Sequence, residues 1–380
     1  MSFLTVNWII WICFTIGVYW SAPRAARPWV LMGLSISFML VNDPLSAGLL
    51  VGAWVVTAIG ITIPRLTSVS LGLAIGILVL ALAGFKISSI AATDTFMQDV
   101  GIPLGLSYYT FRCLHVLIER YKGTLGEVSL RDLSSYLFFI PTFVIGPIHR
   151  INTFLRDQKR QHFNLKICLE GGERIVLGYF KIVVLSNFLI EFMFGQVIEN
   201  ISVGNPGLAA YLTIVQDGLN IYLQFSGHSD VAIGFAAAIG FRVIENFDRP
   251  YLQPNISAFW RSWHISLSQW CREYVYGPIV ARTRSPALGA LTTMLIIGLW
   301  HEISLRYLLW GAFHALGIII WQKYQGFSAN YSTQNTVISG QLAHILSVII
   351  TVHFVWFSFI ILTTPELSQI PERFLLGGSN

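Results

Sequence analysis

Charge is what this 380-residue chain has least of. Only 11% of its residues are Asp, Glu, Lys or Arg, against about a quarter in an ordinary soluble domain. With 54% of the residues hydrophobic, that scarcity argues against a water-soluble enzyme and for a chain built for the bilayer. Cysteine is sparse as well. Cys13, Cys113, Cys168 and Cys271 have no CxxC spacing, which speaks against a disulfide framework or a zinc site and leaves them as packing residues. Internal repeats, low-complexity tracts and any long soluble segment are lacking too. No basic-aromatic array supports nucleic-acid binding, so the net charge of +5 reads as membrane topology.

What is present is apolar length. Runs free of charge cover Phe3 to Trp20, Ser46 to Pro64, Leu66 to Phe85 and Gly340 to Thr364, close to or beyond the roughly 20 helical residues that cross a hydrocarbon core. Weaker spans lie at 28–41, 101–118, 133–148, 175–195, 207–241 and 286–321. Backbone groups must be satisfied internally in lipid, and the dyad alternation of a barrel is missing, so the spans are expected to be helices. The expected fold is all-α: a polytopic integral membrane bundle of roughly ten or eleven membrane helices, some re-entrant or interfacial. Three segments are expected: N-terminal transmembrane helices over 1–95, a core over 96–325, and a C-terminal helix and tail over 326–380.

Arg24 and Arg27 follow the first span and nothing basic precedes it, the reverse of a cleavable signal peptide. The span is expected to stay, with its N-terminus outside the cytoplasm. Segments 149–174 and 242–284 each hold six Lys or Arg against three acids, which places both on the cytoplasmic side of a cell (inner) membrane. The second is rich in Trp, Tyr and Phe, and such a mixture suits interfacial helices. Asn255 or Ser257 is a suitable N-cap for a helix beginning near Ala258, whose continuation carries Trp260, His264, Leu267 and Cys271 on one face.

Ionisable residues deep in apolar sequence invite a functional reading. A helix starting near Pro286 carries His301 about 22 Å along its axis. His301-Glu302 begins like the HExxH zinc motif, but Leu305 occupies the second ligand position, so a zinc protease is not expected. His314 lies about 220° further round a continuous helix and is expected to be structural. In FSGHSD (225–230) a Ser, a His and an Asp stand together without the GxSxG nucleophile elbow, and the small residues better suit a helix break or a close backbone approach.

Taken together, PLGLSYYTFRCLHVLIERYKG (103–123), FFIPTFVIGPIHR (138–150), the block from FSGHSD to WCREYVY (225–276) and GLWHEISLRYLLWGAFH (298–314) resemble the membrane-bound O-acyltransferase family, in particular its bacterial envelope-modifying branch. Glu302 stands where the family usually has Gly, and His228 where it has Tyr.

The resemblance implies a catalytic His301 and a second functional histidine, His264, near a tunnel joining a cytoplasmic donor entrance to an external acceptor funnel. Substrate contacts are expected from Trp300, Trp263, Asn246, Arg261, Arg272 and Asp230; for Arg249, Arg261 and Arg272 two readings stand, anionic lipid first and the phosphate of a phosphopantetheine or coenzyme A donor second. The implied reaction takes an acyl group, acetyl first, from a cytoplasmic thioester to a hydroxyl of an exopolysaccharide or other envelope polymer. D-alanyl transfer to teichoic acid comes second, and acylation of a lipid or protein third. The donor is acetyl-coenzyme A or an acyl carrier protein, acting as co-substrate; no metal and no tightly bound cofactor is expected. Expected partners are the lipid bilayer and an extracellular acyl-transferring protein. The rival classes are a proton-relaying transporter, which predicts repeats not found here, and a non-catalytic relative that recruits partners.

Overall fold

The computed structural model describes residues 5–91, 105–143, 146–330 and 340–363. Regular structure in them is helical apart from one isolated antiparallel bridge between Phe247 and Trp263. Four helical stretches are long and apolar enough to cross a membrane: Pro44–Thr62, Ser68–Ile87, Leu165–Ser202 and Gly340–Leu362. Val6–Ser21 and Pro286–His301 are shorter apolar helices. Large side chains such as Leu73, Ile77 and Leu80 point outward from the second of the long helices, an arrangement costly in water and favourable against lipid. The all-α membrane architecture is therefore present. The start of the 101–118 span, the boundary at 95 and the tail beyond 363 lie outside the described residues.

Two compact units emerge. One comprises residues 1–179 and 228–244, the other 180–227 and 245–380. In the first, backbones approach closely where side chains are missing: a Cβ on Gly171 would lie 2.6 Å from the Gly234 carbonyl oxygen, so helix Leu165–Tyr179 and the distal part of helix Pro206–Ala238 meet through glycine. FSGHSD lies inside that 33-residue helix, so the expected helix break at this motif is not found. The 133–148 span is also not a continuous helix. Leu130–Leu137 gives way to a 3₁₀ turn over Ile140–Thr142, because Pro141 and Pro147 remove donors. The irregular backbone is held from within. Arg112 donates to the Tyr136 carbonyl at 3.3 Å and Tyr136 Oη to the His149 carbonyl at 2.7 Å, the internal satisfaction that non-helical chain needs at membrane depth.

In the second unit the helices Pro286–His301 and Leu305–Asn330 form a tight antiparallel hairpin. Gly298 and Gly311 make it possible: a Cβ on the first would collide with the Tyr307 carbonyl, and one on the second would lie 2.5 Å from the Met294 carbonyl oxygen. The chain between them breaks at residues 302–304, where Glu302 is extended and the Ser304 hydroxyl accepts from the Tyr307 amide, a serine N-cap. The continuous helix over 286–321 is thus two helices. The short helices Ile256–Ser262, Ile265–Cys271 and Gly277–Thr283 belong to the same unit.

Candidate active site

Asn255 begins the site by capping the first of these short helices, its Oδ1 accepting from the Ala258 amide at 2.8 Å. The helix stops at Ser262 instead of running on to Cys271, because the strand-like segment 246–248 captures the next residues. The Asp248 amide donates to the Ser262 carbonyl and the Ile265 amide to the Asn246 carbonyl, both at 2.9 Å. His264 takes the turn with φ 42°, a left-handed conformation that costs a residue with a Cβ roughly 1–2 kcal/mol. Such strain persists only where surrounding structure over-determines it.

Asn246 supplies that constraint. Its Oδ1 accepts from the Ser266 amide at 3.3 Å and the Ser266 hydroxyl at 2.9 Å, and lies 3.1 Å from His264 Nδ1. A backbone N–H can only donate, so the atom facing it is the amide oxygen, and Nδ1 must carry the imidazole proton. The lone pair is then on Nε2. That atom is buried and has no hydrogen-bond partner among the described residues. Burial first, and the neighbouring His301 second, push the His264 pKa down to about 3, so its ring is neutral at physiological pH.

His301 is the last residue of its helix, which starts as expected: Ser285 caps it by accepting from the Leu288 amide at 3.2 Å, and Pro286 opens the first turn. His301 is exposed at this helix end, in contrast to the buried position expected for it. Trp300, Tyr307 and Trp310 surround it, with ring centroids 4.5, 5.7 and 5.7 Å away. The Trp300 indole also meets His264, at 6.1 Å. One tryptophan thus touches both imidazoles.

His314, in the second helix of the hairpin, is a packing residue. Trp260 donates to its Nδ1 at 3.3 Å, so Nε2 carries the proton toward Ser358 Oγ at 3.0 Å. The break after His301 brings both histidines onto Trp310, where a continuous helix would have pointed them apart.

A cavity of 300 Å³ opens beside the histidines, with an apolar wall of Ile265, Ala290, Met294 and Ile297 and with Arg261 and Arg272 among its polar residues. Neither imidazole lines it. Ile297 nevertheless stands one turn before His301 on the same helix face, and Ile265 follows His264 directly. In the wall, Thr293 Oγ1 is buried without a hydrogen-bond partner among the described residues. Arg249 does not line this cavity. Trp263 packs into an aromatic cluster with Phe247, Tyr251 and Phe259, at centroid distances of 5.1, 6.0 and 5.5 Å. Asp230 belongs to the other unit, where its Oδ1 accepts from Arg174 Nε and Nη2 at 3.1 and 2.9 Å. Sequence reasoning did not find the Thr293 hydroxyl or Asn246's hold on His264. Neither has a signal in spacing, because both depend on what the fold brings alongside.

A family model for the membrane-bound O-acyltransferases matches residues 30–364. The chain belongs to this family. Among its relatives, a probable alginate O-acetylase of Pseudomonas syringae pv. tomato is 34% identical over 256 residues, 63% of this chain and 48% of that protein. The teichoic acid D-alanyltransferase of Bacillus subtilis is 29% identical over 276 residues, 68% of each chain. A peptidoglycan O-acetyltransferase of Helicobacter pylori is 25% identical over 255 residues, 59% of this chain and 48% of the relative. The chain spans about half the length of the alginate O-acetylases it matches. As a membrane-bound O-acyltransferase family member with apolar helices of spanning length, it is a multi-pass membrane protein.

Proposed function

We propose that this protein transfers an acyl group, acetyl in the first instance, from a cytoplasmic thioester to a hydroxyl of an extracellular polysaccharide or related envelope polymer. The observation that carries the reading is the pair of histidines on Trp300, one accessible and one buried with a fixed tautomer, beside a cavity rimmed by arginines. Relatives named for acetylating alginate and peptidoglycan support acetyl as the group. The relative named for teichoic acid keeps D-alanyl as the second choice.

The roles divide by chemistry. A nitrogen as hard to protonate as His264 Nε2 is a good hydrogen-bond acceptor and a poor proton acceptor. It orients a polyol acceptor by receiving one of its hydroxyls. His301 is the general base. It removes the proton of the reacting hydroxyl as that oxygen attacks the thioester carbonyl; the C–O bond forms, the C–S bond breaks, and the imidazolium returns its proton to the departing thiolate. The oxyanion between these steps needs a donor. His264 cannot serve, its proton being committed to Asn246, so the indole N–H of Trp300 or Trp263 takes that role. A phosphopantetheine arm of coenzyme A or of an acyl carrier protein threads the cavity, its phosphate against Arg261 and Arg272.

The positive-inside pattern supports an inner-membrane location with basic segments 149–174 and 242–284 in the cytoplasm and the N-terminus outside. A separate extracellular protein completes delivery to the polymer. The test is release of free thiol by purified protein in detergent, with acetyl-coenzyme A or an acetylated carrier protein as donor. His301→Ala should abolish turnover in a folded protein, and His264→Ala should slow it. Full turnover by His301→Ala would sink the assignment.

A further inference from the structure

A second cavity lies in the first unit and has no part in the chemistry above. It measures 410 Å³ and is walled by Trp20, Gln161 and Phe241 together with Arg156, Arg160 and Arg242. Asp157 is the single carboxylate among the described residues of the wall, and it is already engaged. Its Oδ2 accepts from the Arg242 amide at 3.0 Å and its Oδ1 from Arg156 Nε at 3.4 Å. Gln161 is engaged likewise, accepting from Tyr19 Oη and donating to the Ile239 carbonyl at 3.3 Å. The guanidinium groups of Arg160 and Arg242, by contrast, have no hydrogen-bond or ion-pair partner among the described residues. More positive charge stands nearby: Arg24 donates to the Lys159 carbonyl, and Arg27 lies over the Trp20 ring at 4.6 Å.

The surroundings distinguish a lipid from a soluble anion. Trp20 ends an apolar helix and meets the exposed ring of Phe163 edge-on at 5.3 Å, an aromatic pair of the kind that settles at headgroup level. From there the stretch Leu165–Ser202 runs as one of those able to cross a bilayer. Its exposed Leu165, Leu169 and Val176 fall within about 40° of one another around the helix, an apolar stripe leading away from the arginines. A free anion would use the charges and leave the stripe bare. A phospholipid uses both.

We propose that this cavity binds the phosphate-bearing headgroup of an anionic phospholipid, with the phosphate paired to Arg160 and Arg242 and an acyl chain along Leu165, Leu169 and Val176. Planar guanidinium forks match phosphate oxygens two at a time, and juxtamembrane arginines gain further from the negative leaflet surface.

The test is thermal melting of the full chain in detergent, titrated with short-chain phosphatidylglycerol, with phosphatidylcholine of the same chains, and with inorganic phosphate. Phosphatidylglycerol should raise the melting temperature at concentrations where the other two do not. Arg160→Gln with Arg242→Gln should demand roughly tenfold or more phosphatidylglycerol for the same rise. Both side chains are exposed and make no bond among the described residues, so the double variant should fold. Arg282→Gln with Arg284→Gln, in the other unit, should respond like wild type. The proposal is overturned if the Arg160/Arg242 variant responds like wild type, if phosphatidylcholine matches phosphatidylglycerol, or if inorganic phosphate alone reproduces the rise.

Discussion

Replacing Asn246 with Ala should uncouple folding from catalysis in a measurable way. Asn246 is 1% exposed and His264 2%, so the substitution removes from a dry site the oxygen that receives the Ser266 amide, the Ser266 hydroxyl and His264 Nδ1–H. A buried donor left unsatisfied costs about 1–3 kcal/mol. The hydroxyl can rotate to another acceptor and the amide is the weaker contact, so the expected loss of stability is about 3 kcal/mol. The catalytic loss has a separate origin. Without the acceptor on Nδ1, the proton can move to Nε2, which turns the atom that should receive the acceptor's hydroxyl into a donor. If the whole worth of that bond is lost, kcat/KM falls by between about fivefold and about 150-fold. Asn246→Asp is the counterpart. It keeps an acceptor for all three donors but adds a charge beside the ring, so it should hold the tautomer and raise the pKa of His264. The assay is thiol release per folded molecule, with folding followed by intrinsic tryptophan fluorescence. If Asn246→Ala melts lower yet retains wild-type kcat/KM, Asn246 only shapes the turn and the tautomer argument is wrong.

Other consequences follow from the same unit. Gly298→Ala drives a methyl group into the Tyr307 carbonyl at the closest point of the hairpin; neither backbone can yield cheaply, so a loss of at least about 2 kcal/mol is expected, read as a lower melting temperature. The depressed pKa of His264 makes stability pH-dependent. The unfolded chain binds this proton near pH 6.5 and the folded protein only near 3, so the contribution is intact above about pH 6.5 and declines as the pH falls toward 3, by about 2 kcal/mol at pH 5. Comparing melting temperatures at pH 7.5 and pH 5.0 should show a smaller acid loss in His264→Gln than in wild type; an equal loss would refute this. Arg261→Gln with Arg272→Gln should raise KM for the thioester about tenfold or more with kcat little changed. A drop in kcat at constant KM would remove the arginines from donor binding.

The membrane class and several helix starts were legible because each rests on local chemistry. Apolar length alone implies a span, Ser285-Pro286 opens a helix, and Asn255 caps one wherever the chain lies. What could not be read locally is where helices stop. Nothing in the periodicity around Trp263 and His264 forbids another turn; the interruption comes from Asn246, 18 residues away, whose backbone and side chain capture the segment. The exposure of His301 was hidden for a similar reason. Depth along a helix is predictable from sequence, but whether the helix ends in packed protein or at an opening depends on the three residues after it, and on how the returning helix is held.

That pattern also separates the two histidines structurally. A left-handed histidine is expensive, and the interactions at Asn246 that offset its cost also fix the tautomer, leaving the lone pair on the buried Nε2. The same hydrogen bonds therefore hold the strained backbone in place and define the ring chemically. His301 carries no such backbone strain, being the final residue of an ordinary helix, and it is exposed where His264 is buried. In the proposed reaction one group must hold a hydroxyl in register while the other takes up a proton and gives it back, and a buried, hydrogen-bonded ring beside an exposed one suits that division. On this reasoning, displacing His301 from its place should cost activity without touching donor binding. Replacing Ser304 with Ala removes the N-cap of the returning helix, weakens the break after His301 by about 1 kcal/mol and should lower kcat while leaving donor KM unchanged. If donor KM rises instead, the break at 302–304 serves the cavity and not the base.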